Sequence, residues 1–118
     1  MANMAEKIKR HQHILIDYLD SLARSRNESP TATLEYQVIA DLQRNHFQLT
    51  RLGWHERKYY FMVLIHLDIR PDGKVWLQQN NTEILVAEEL EERGISKTEI
   101  VIGFRPEYMR PHTGYAVA

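Results

Sequence analysis

Six histidines carry most of the side-chain chemistry this sequence could hold. His66 and Asp68 stand two apart in the run Ile65-His66-Leu67-Asp68-Ile69. An extended chain repeats its facing every second residue, so imidazole and carboxylate share one side. Such a pair can share a proton or give two ligands to a metal ion. No third member, nucleophile or metal-binding motif accompanies it. The pair therefore reads as a polar patch at the end of a strand, satisfied by hydrogen bonds or buried between subunits. His11 and His13 are also two apart, but on a predicted helix, where that spacing turns them in different directions. There is no His-Glu-x-x-His and no nucleophile elbow. Five dispersed glycines build no phosphate-cradling loop. With no cysteine, disulfides, thiol catalysis and Cys-ligated zinc are excluded; a reducing, cytoplasmic setting suits the chain. No catalytic residue, metal site or cofactor is expected.

What remains is contact chemistry. Trp76 is expected beside the His66 and Asp68 patch, as core filling or as an interface contact. A second cluster, Arg105, Tyr108, Arg110, His112 and Tyr115, holds the residue types enriched at interface hot spots. The first reading is that it caps the sheet and satisfies local carbonyls, the second an interface, and the third a clamp on a small anion. These eight residues are the candidates for a partner or subunit interface. Glu88, Glu89, Glu91 and Glu92 form an acidic run that reads first as a solvated helix face and second as a dock for a basic partner. A formal charge of −1 over 118 residues lacks the basic excess of a dedicated duplex binder. The last four residues, Tyr115 to Ala118, are apolar or aromatic, which predicts a tail tied to a sheet edge or to a neighbour.

The elements that must position these groups follow from period. Met4 to about Arg26 shows the helical stripe Ile8, Ile14, Leu15, Tyr18, Leu19 and Leu22. A polar loop broken by Pro30 follows. From Thr33 the period becomes two: Leu34, Tyr36, Val38 and Ala40 predict a half-buried strand. Phe47 and Leu49 have one parity and Leu52 and Trp54 the other, which predicts a bulge near Thr50 or Arg51. Tyr59 to Arg70 is the central strand. Arg70-Pro71-Asp72-Gly73-Lys74 fits a type I turn with Gly in the left-handed position. That turn sets Ile69 against Val75, Leu67 against Leu77, Asp68 against Trp76 and His66 against Gln78. A second helix is expected from Asn81 or Thr82 to about Arg93, then a short helical turn after Ser96 and an extended Ile100 to Phe104. The fold class is α+β in one domain, residues 1–118, with an N-terminal helix, an antiparallel sheet of about four strands, one longer and one short helix, and an extended C-terminal segment. No stretch is apolar and long enough to cross a bilayer, and the first ten residues have no apolar run typical of a secretory leader.

One ordered set of residues has a family look. Gly53-Trp54, His66-Leu67-Asp68-Ile69, Asp72-Gly73-Lys74-Val75-Trp76 and Thr82-Glu83 are followed by Gly94-Ile95, Glu99-Ile100-Val101-Ile102-Gly103-Phe104, Arg110 and Thr113-Gly114-Tyr115-Ala116-Val117-Ala118. The set resembles the XisI family, the fdxN element excision controlling factors of cyanobacteria. It covers nearly the whole chain and is strongest from about residue 46. Members often carry Asp-Gly or a similar pair before Thr-Glu, where this chain has Asn80-Asn81. The resemblance implies an accessory, non-catalytic role in excising a DNA element during heterocyst differentiation. It implies an XisH-like, nuclease-like protein as companion, with the strand chemistry left to a separate recombinase. A homo-oligomer is expected, and any DNA contact is expected to be indirect. Two alternatives stay open: an inhibitor or antitoxin-like partner of the XisH-like protein, and weak direct DNA binding through Arg51, Arg57, Lys58, Arg105 and Arg110.

Overall fold

The computed structural model describes residues 3–118. Helix α1 spans Met4–Asn27, with the Asn3 side chain accepting from the Glu6 N–H at 2.9 Å. That cap satisfies one orphan donor of the first turn. The early basic residues that oppose the helix dipole are drawn into contacts instead. Lys7 reaches Glu99 at 2.6 Å, and Arg10 donates to the Gly94 carbonyl at 3.2 Å.

Five strands follow: β1 Glu35–Asp41, β2 His46–His55, β3 Lys58–Ile69, β4 Val75–Asn80 and β5 Ile100–Ile102. They lie in the order β1-β2-β3-β4-β5. The first four form an antiparallel meander. The fifth pairs parallel to β4, because the chain crosses over through helix α2, Val86–Glu92. The expected antiparallel sheet of about four strands is present, and a short fifth strand joins it in parallel. Arg70 and Gly73 close the β3–β4 turn through a 2.8 Å bond, with Gly73 at φ +85°, a conformation open to glycine.

Both helices cover one face. Leu15, Tyr18 and Leu19 of α1 pack with Phe47, Leu49, Ile65, Leu67, Val75 and Leu77 of the sheet and with Val86 and Leu90 of α2. Tyr18 joins the two helices by donating to Glu89 at 2.8 Å. Burial and this bond to a carboxylate both push its pKa up.

Three expectations need correction. The bulge at the level of Thr50 lies on β3, not β2: Leu49 opposes Ile65 and Thr50 opposes Val63, leaving Leu64 as the extra residue. Strand β2 therefore alternates without a break, and Leu52 and Trp54 fall on the face away from the helices. A second bulge leaves Gln78 extra on β4, so His66 opposes Gln79 and not Gln78. The other three expected pairs, Ile69 with Val75, Leu67 with Leu77 and Asp68 with Trp76, are present. Finally, α2 begins at Val86. The Asn80 side chain accepts from the Thr82 N–H and hydroxyl and donates to the Ile84 carbonyl, which holds 80–84 as a turn.

The apolar ending is tied to its own sheet. Ala116 bridges Val101 in parallel and donates its N–H to the Ile100 carbonyl at 2.8 Å. Tyr115 packs against the core and donates to Glu91 at 2.6 Å.

Candidate functional site: the open face of the sheet

The face opposite the helices is bare over most of its length, and it has two ends. Toward the β2–β3 turn it carries the pairs Leu52 with Phe61 and Trp54 with Tyr59. Trp54 is 67% exposed and Phe61 60%. The Trp54 and Tyr59 rings lie 5.3 Å apart. This is a contiguous aromatic patch, not a scatter of single apolar residues.

The other end is polar. Register sets His46 opposite Asp68, Gln48 opposite His66 and Asp68 opposite Trp76. Asp68 Oδ1 accepts from His46 Nδ1 at 2.7 Å and from His66 Nε2 at 2.8 Å. Its Oδ2 accepts from the Gln78 amide at 3.2 Å. The other nitrogen of His66, Nδ1, accepts from the Gln48 amide at 2.8 Å. An ionised carboxylate only accepts, so both imidazoles turn an N–H toward it. Burial disfavours the Asp68 carboxylate, but these donated bonds outweigh it and hold its pKa below the usual 3.8. The sequence-predicted pair is thus part of a satisfied network of five side chains. The members that reasoning from sequence missed are Gln48 and, nearer the carboxylate, His46. Both sit on another strand, and the Leu64 bulge decides that His46 faces Asp68.

Trp76 closes this end. The guanidinium of Arg70 lies 4.7 Å from its ring and that of Arg110 lies 5.0 Å away. Both distances suit cation–π attraction. Arg110 also donates to the Arg105 carbonyl at 3.1 Å, so the 3₁₀ segment Glu107–His112 is clasped over this edge. Gly103 comes close beneath: a Cβ there would meet the Gln78 amide and lie 3.1 Å from Trp76.

The remaining sequence candidates are divided. Arg105, Tyr108 and His112 are exposed beyond β5, while Tyr115 turns to α2. Of the acidic run, Glu89 and Glu91 are engaged by Tyr18 and Tyr115, leaving Glu88 and Glu92 exposed. The five basic residues considered for DNA do not form one surface. Arg51 lies half-buried against Met62, Arg57 and Lys58 flank the β2–β3 turn, and Arg105 and Arg110 lie beyond β5, in a molecule 51 Å long. On the helix side, His11 is fully buried with Nδ1 on the Gly73 carbonyl at 2.8 Å, and desolvation lowers its pKa. Among the described residues no helix is long and apolar enough to cross a membrane.

Helices on one side of a mixed sheet, and exposed aromatic and polar side chains on the other, define a small α+β protein with a one-sided sheet. The model of the XisI family, described as XisI protein, matches residues 4–117, and the chain belongs to that family. Two solved structures are similar to it. A XisI-like protein from Anabaena variabilis is 36% identical over 94% of this chain and 99% of its own, with a TM-score of 0.83. The fdxN element excision controlling factor XisI from the same organism is 25% identical over 95% and 99%, with a TM-score of 0.76. No curated protein matches.

Proposed function

We propose that this chain is an accessory factor in programmed excision of a DNA element, acting by docking a protein partner on the bare face of its sheet. The process is taken from the controlling factor that it resembles. The observation that supports docking is the Trp54, Tyr59 and Phe61 patch, aromatic and exposed on a rigid β-ladder. Aromatic residues on a stiff scaffold bury area at little entropic cost, and they are enriched among binding hot spots. The companion is an XisH-like protein, and DNA contact runs through the complex, because the basic side chains here are dispersed and the net charge is −1. The setting is the cytoplasm, during heterocyst differentiation.

The test is light scattering coupled to size exclusion, on the chain alone and mixed with an XisH-like protein from the same genome. The expected result is a joint peak that Trp54→Ser and Phe61→Ser abolish while the far-UV spectrum is unchanged. A joint peak indifferent to both substitutions would move the contact off this face. Two separate peaks, with a dimer of this chain that both substitutions dissociate, would replace the companion with a second copy.

A further inference from the structure

The polar end of the open face has the makings of a metal site. Three donor atoms, His46 Nδ1, His66 Nε2 and Asp68 Oδ1, lie within 4.8 Å of one another. They come from two adjacent strands, so their backbone is fixed by the ladder. Both imidazoles aim at one carboxylate oxygen at 2.7 and 2.8 Å. A tetrahedral ion with bonds of about 2.0–2.2 Å places its donors about 3.3–3.6 Å apart. Each imidazole nitrogen therefore needs to draw back from the Asp68 oxygen by about 0.5–0.9 Å. His46, with a half-exposed side chain, can do this by rotating.

The surroundings match what metal-binding side chains require. Ligand carboxylates and imidazoles are generally held by an outer layer of hydrogen bonds. Here Gln78 holds the second oxygen of Asp68, and Gln48 holds the second nitrogen of His66. Gln78 reaches Asp68 because β4 bulges at that residue. Gly103 leaves the room in which its amide lies. Binding an ion at these atoms requires a change of tautomer, with no net loss of a proton. Without metal, each imidazole presents an N–H to Asp68. With metal, each presents a lone pair there, and its proton moves to the other ring nitrogen. For His66 that is Nδ1, which then donates to the Gln48 carbonyl oxygen after a half-turn of the amide.

We infer that His46, His66 and Asp68 bind one divalent transition-metal ion of the zinc class on the open face of the sheet. Two imidazoles and one carboxylate favour zinc, cobalt or nickel over magnesium and calcium, which take oxygen ligands. Three protein ligands leave a position open. It points away from the helices, toward whatever approaches this face. The binding itself needs no partner, so its test is independent of the docking reading.

The experiment is isothermal titration of the untagged full chain with zinc chloride. It is repeated with cobalt, whose visible absorption reports coordination by nitrogen and oxygen. One ion per chain is expected. His46→Gln and Asp68→Asn each weaken binding by about a hundredfold or more, and Gln78→Met by about tenfold, as is usual for outer-layer partners. The control His55→Gln leaves affinity unchanged. Nitrogen-15 spectra of the histidine rings locate the ion without any substitution: His46 Nδ1 and His66 Nε2 are the resonances expected to move. No heat and no cobalt spectrum at millimolar metal would overturn the inference. So would binding that survives in Asp68→Asn or that shifts His11 and His13 instead. In either case the network is a hydrogen-bonded polar patch and nothing more.

Discussion

The two faces of one sheet are built on opposite rules. The covered face is filled by Phe47, Leu49, Ile65, Leu67, Val75 and Leu77 against two helices, and almost nothing there is polar. The open face carries aromatic rings at one end and a hydrogen-bonded histidine–carboxylate network at the other. Removing water from the first face stabilises the fold. Leaving the second in water stabilises nothing, and exposed aromatic area is a hazard for association. A chain that keeps such a face therefore points to a use for it outside its own fold.

Substitutions can break this contrast. Leu67→Ala on the covered face is expected to cost about 2–5 kcal/mol in urea unfolding. Phe61→Ser on the open face should stay within about 0.5 kcal/mol of the parent. If both cost the same, the open face is core, and the distinction collapses. Deleting Gly114 to Ala118 removes the Ala116 bond to Ile100 and the packing of Tyr115. The expected loss is about 2–4 kcal/mol, from the Ala116 and Tyr115 hydrogen bonds and one half-buried aromatic side chain. An unchanged melting temperature in the truncated chain would show that the tail contributes nothing to the sheet. Gly103→Ala pushes a methyl group into Gln78 and Trp76, and about 1–3 kcal/mol of overpacking is expected from the same measurement.

Acid should separate the faces as well. His11, on the covered side, has a folded pKa below 6.5, because burial favours the neutral ring. Its contribution is full above pH 6.5 and is lost as pH falls below that value. Asp68, on the open side, has a folded pKa below 3.8. Its contribution is full above pH 3.8 and is lost only in stronger acid. Urea midpoints from pH 8 to pH 2 should therefore fall in two steps; Asp41 and Asp72 are also held below 3.8, so Asp68→Asn should shrink the second step and leave the first unchanged. A single step in the parent would mean that the two groups do not titrate separately. A small gain in stability is expected at the β2–β3 turn, where Glu56 and Arg57 have φ of 59° and 112°. Replacing them with Asn and Gly, which accept positive φ, should raise stability by about 0.5–1 kcal/mol.

Much of this was legible beforehand, because the covered face writes itself in periodic apolar residues. Helix α1, the meander and the turn at Arg70 to Lys74 follow from spacing and turn chemistry alone, and Asp68 falls beside Trp76 as that turn requires. The open face was not legible, for one physical reason. The parity change along β2 predicts a bulge, a local kink, near Thr50 or Arg51 of that strand. The kink belongs to the partner strand, where Leu64 and Ile65 are both buried, and it leaves Leu52 and Trp54 outside. Which of two paired strands absorbs an extra residue depends on packing across the pair, and neither strand's pattern alone contains it. His46 was lost with the same information. The run of apolar residues from Met62 to Ile65 was the available hint, since a strand with consecutive buried neighbours has changed its facing.

The chain has two tryptophans, and they stand at opposite ends of the open face. Trp54 is largely in water, whereas Trp76 has two guanidinium groups within 5.0 Å of its ring centre. Their emission therefore forms two separate optical channels. A body settling on the aromatic end would shift the Trp54 light toward the blue, and an ion entering beside Asp68 would alter the Trp76 light. The molecule carries its own gauge of which end is occupied, with no dye attached.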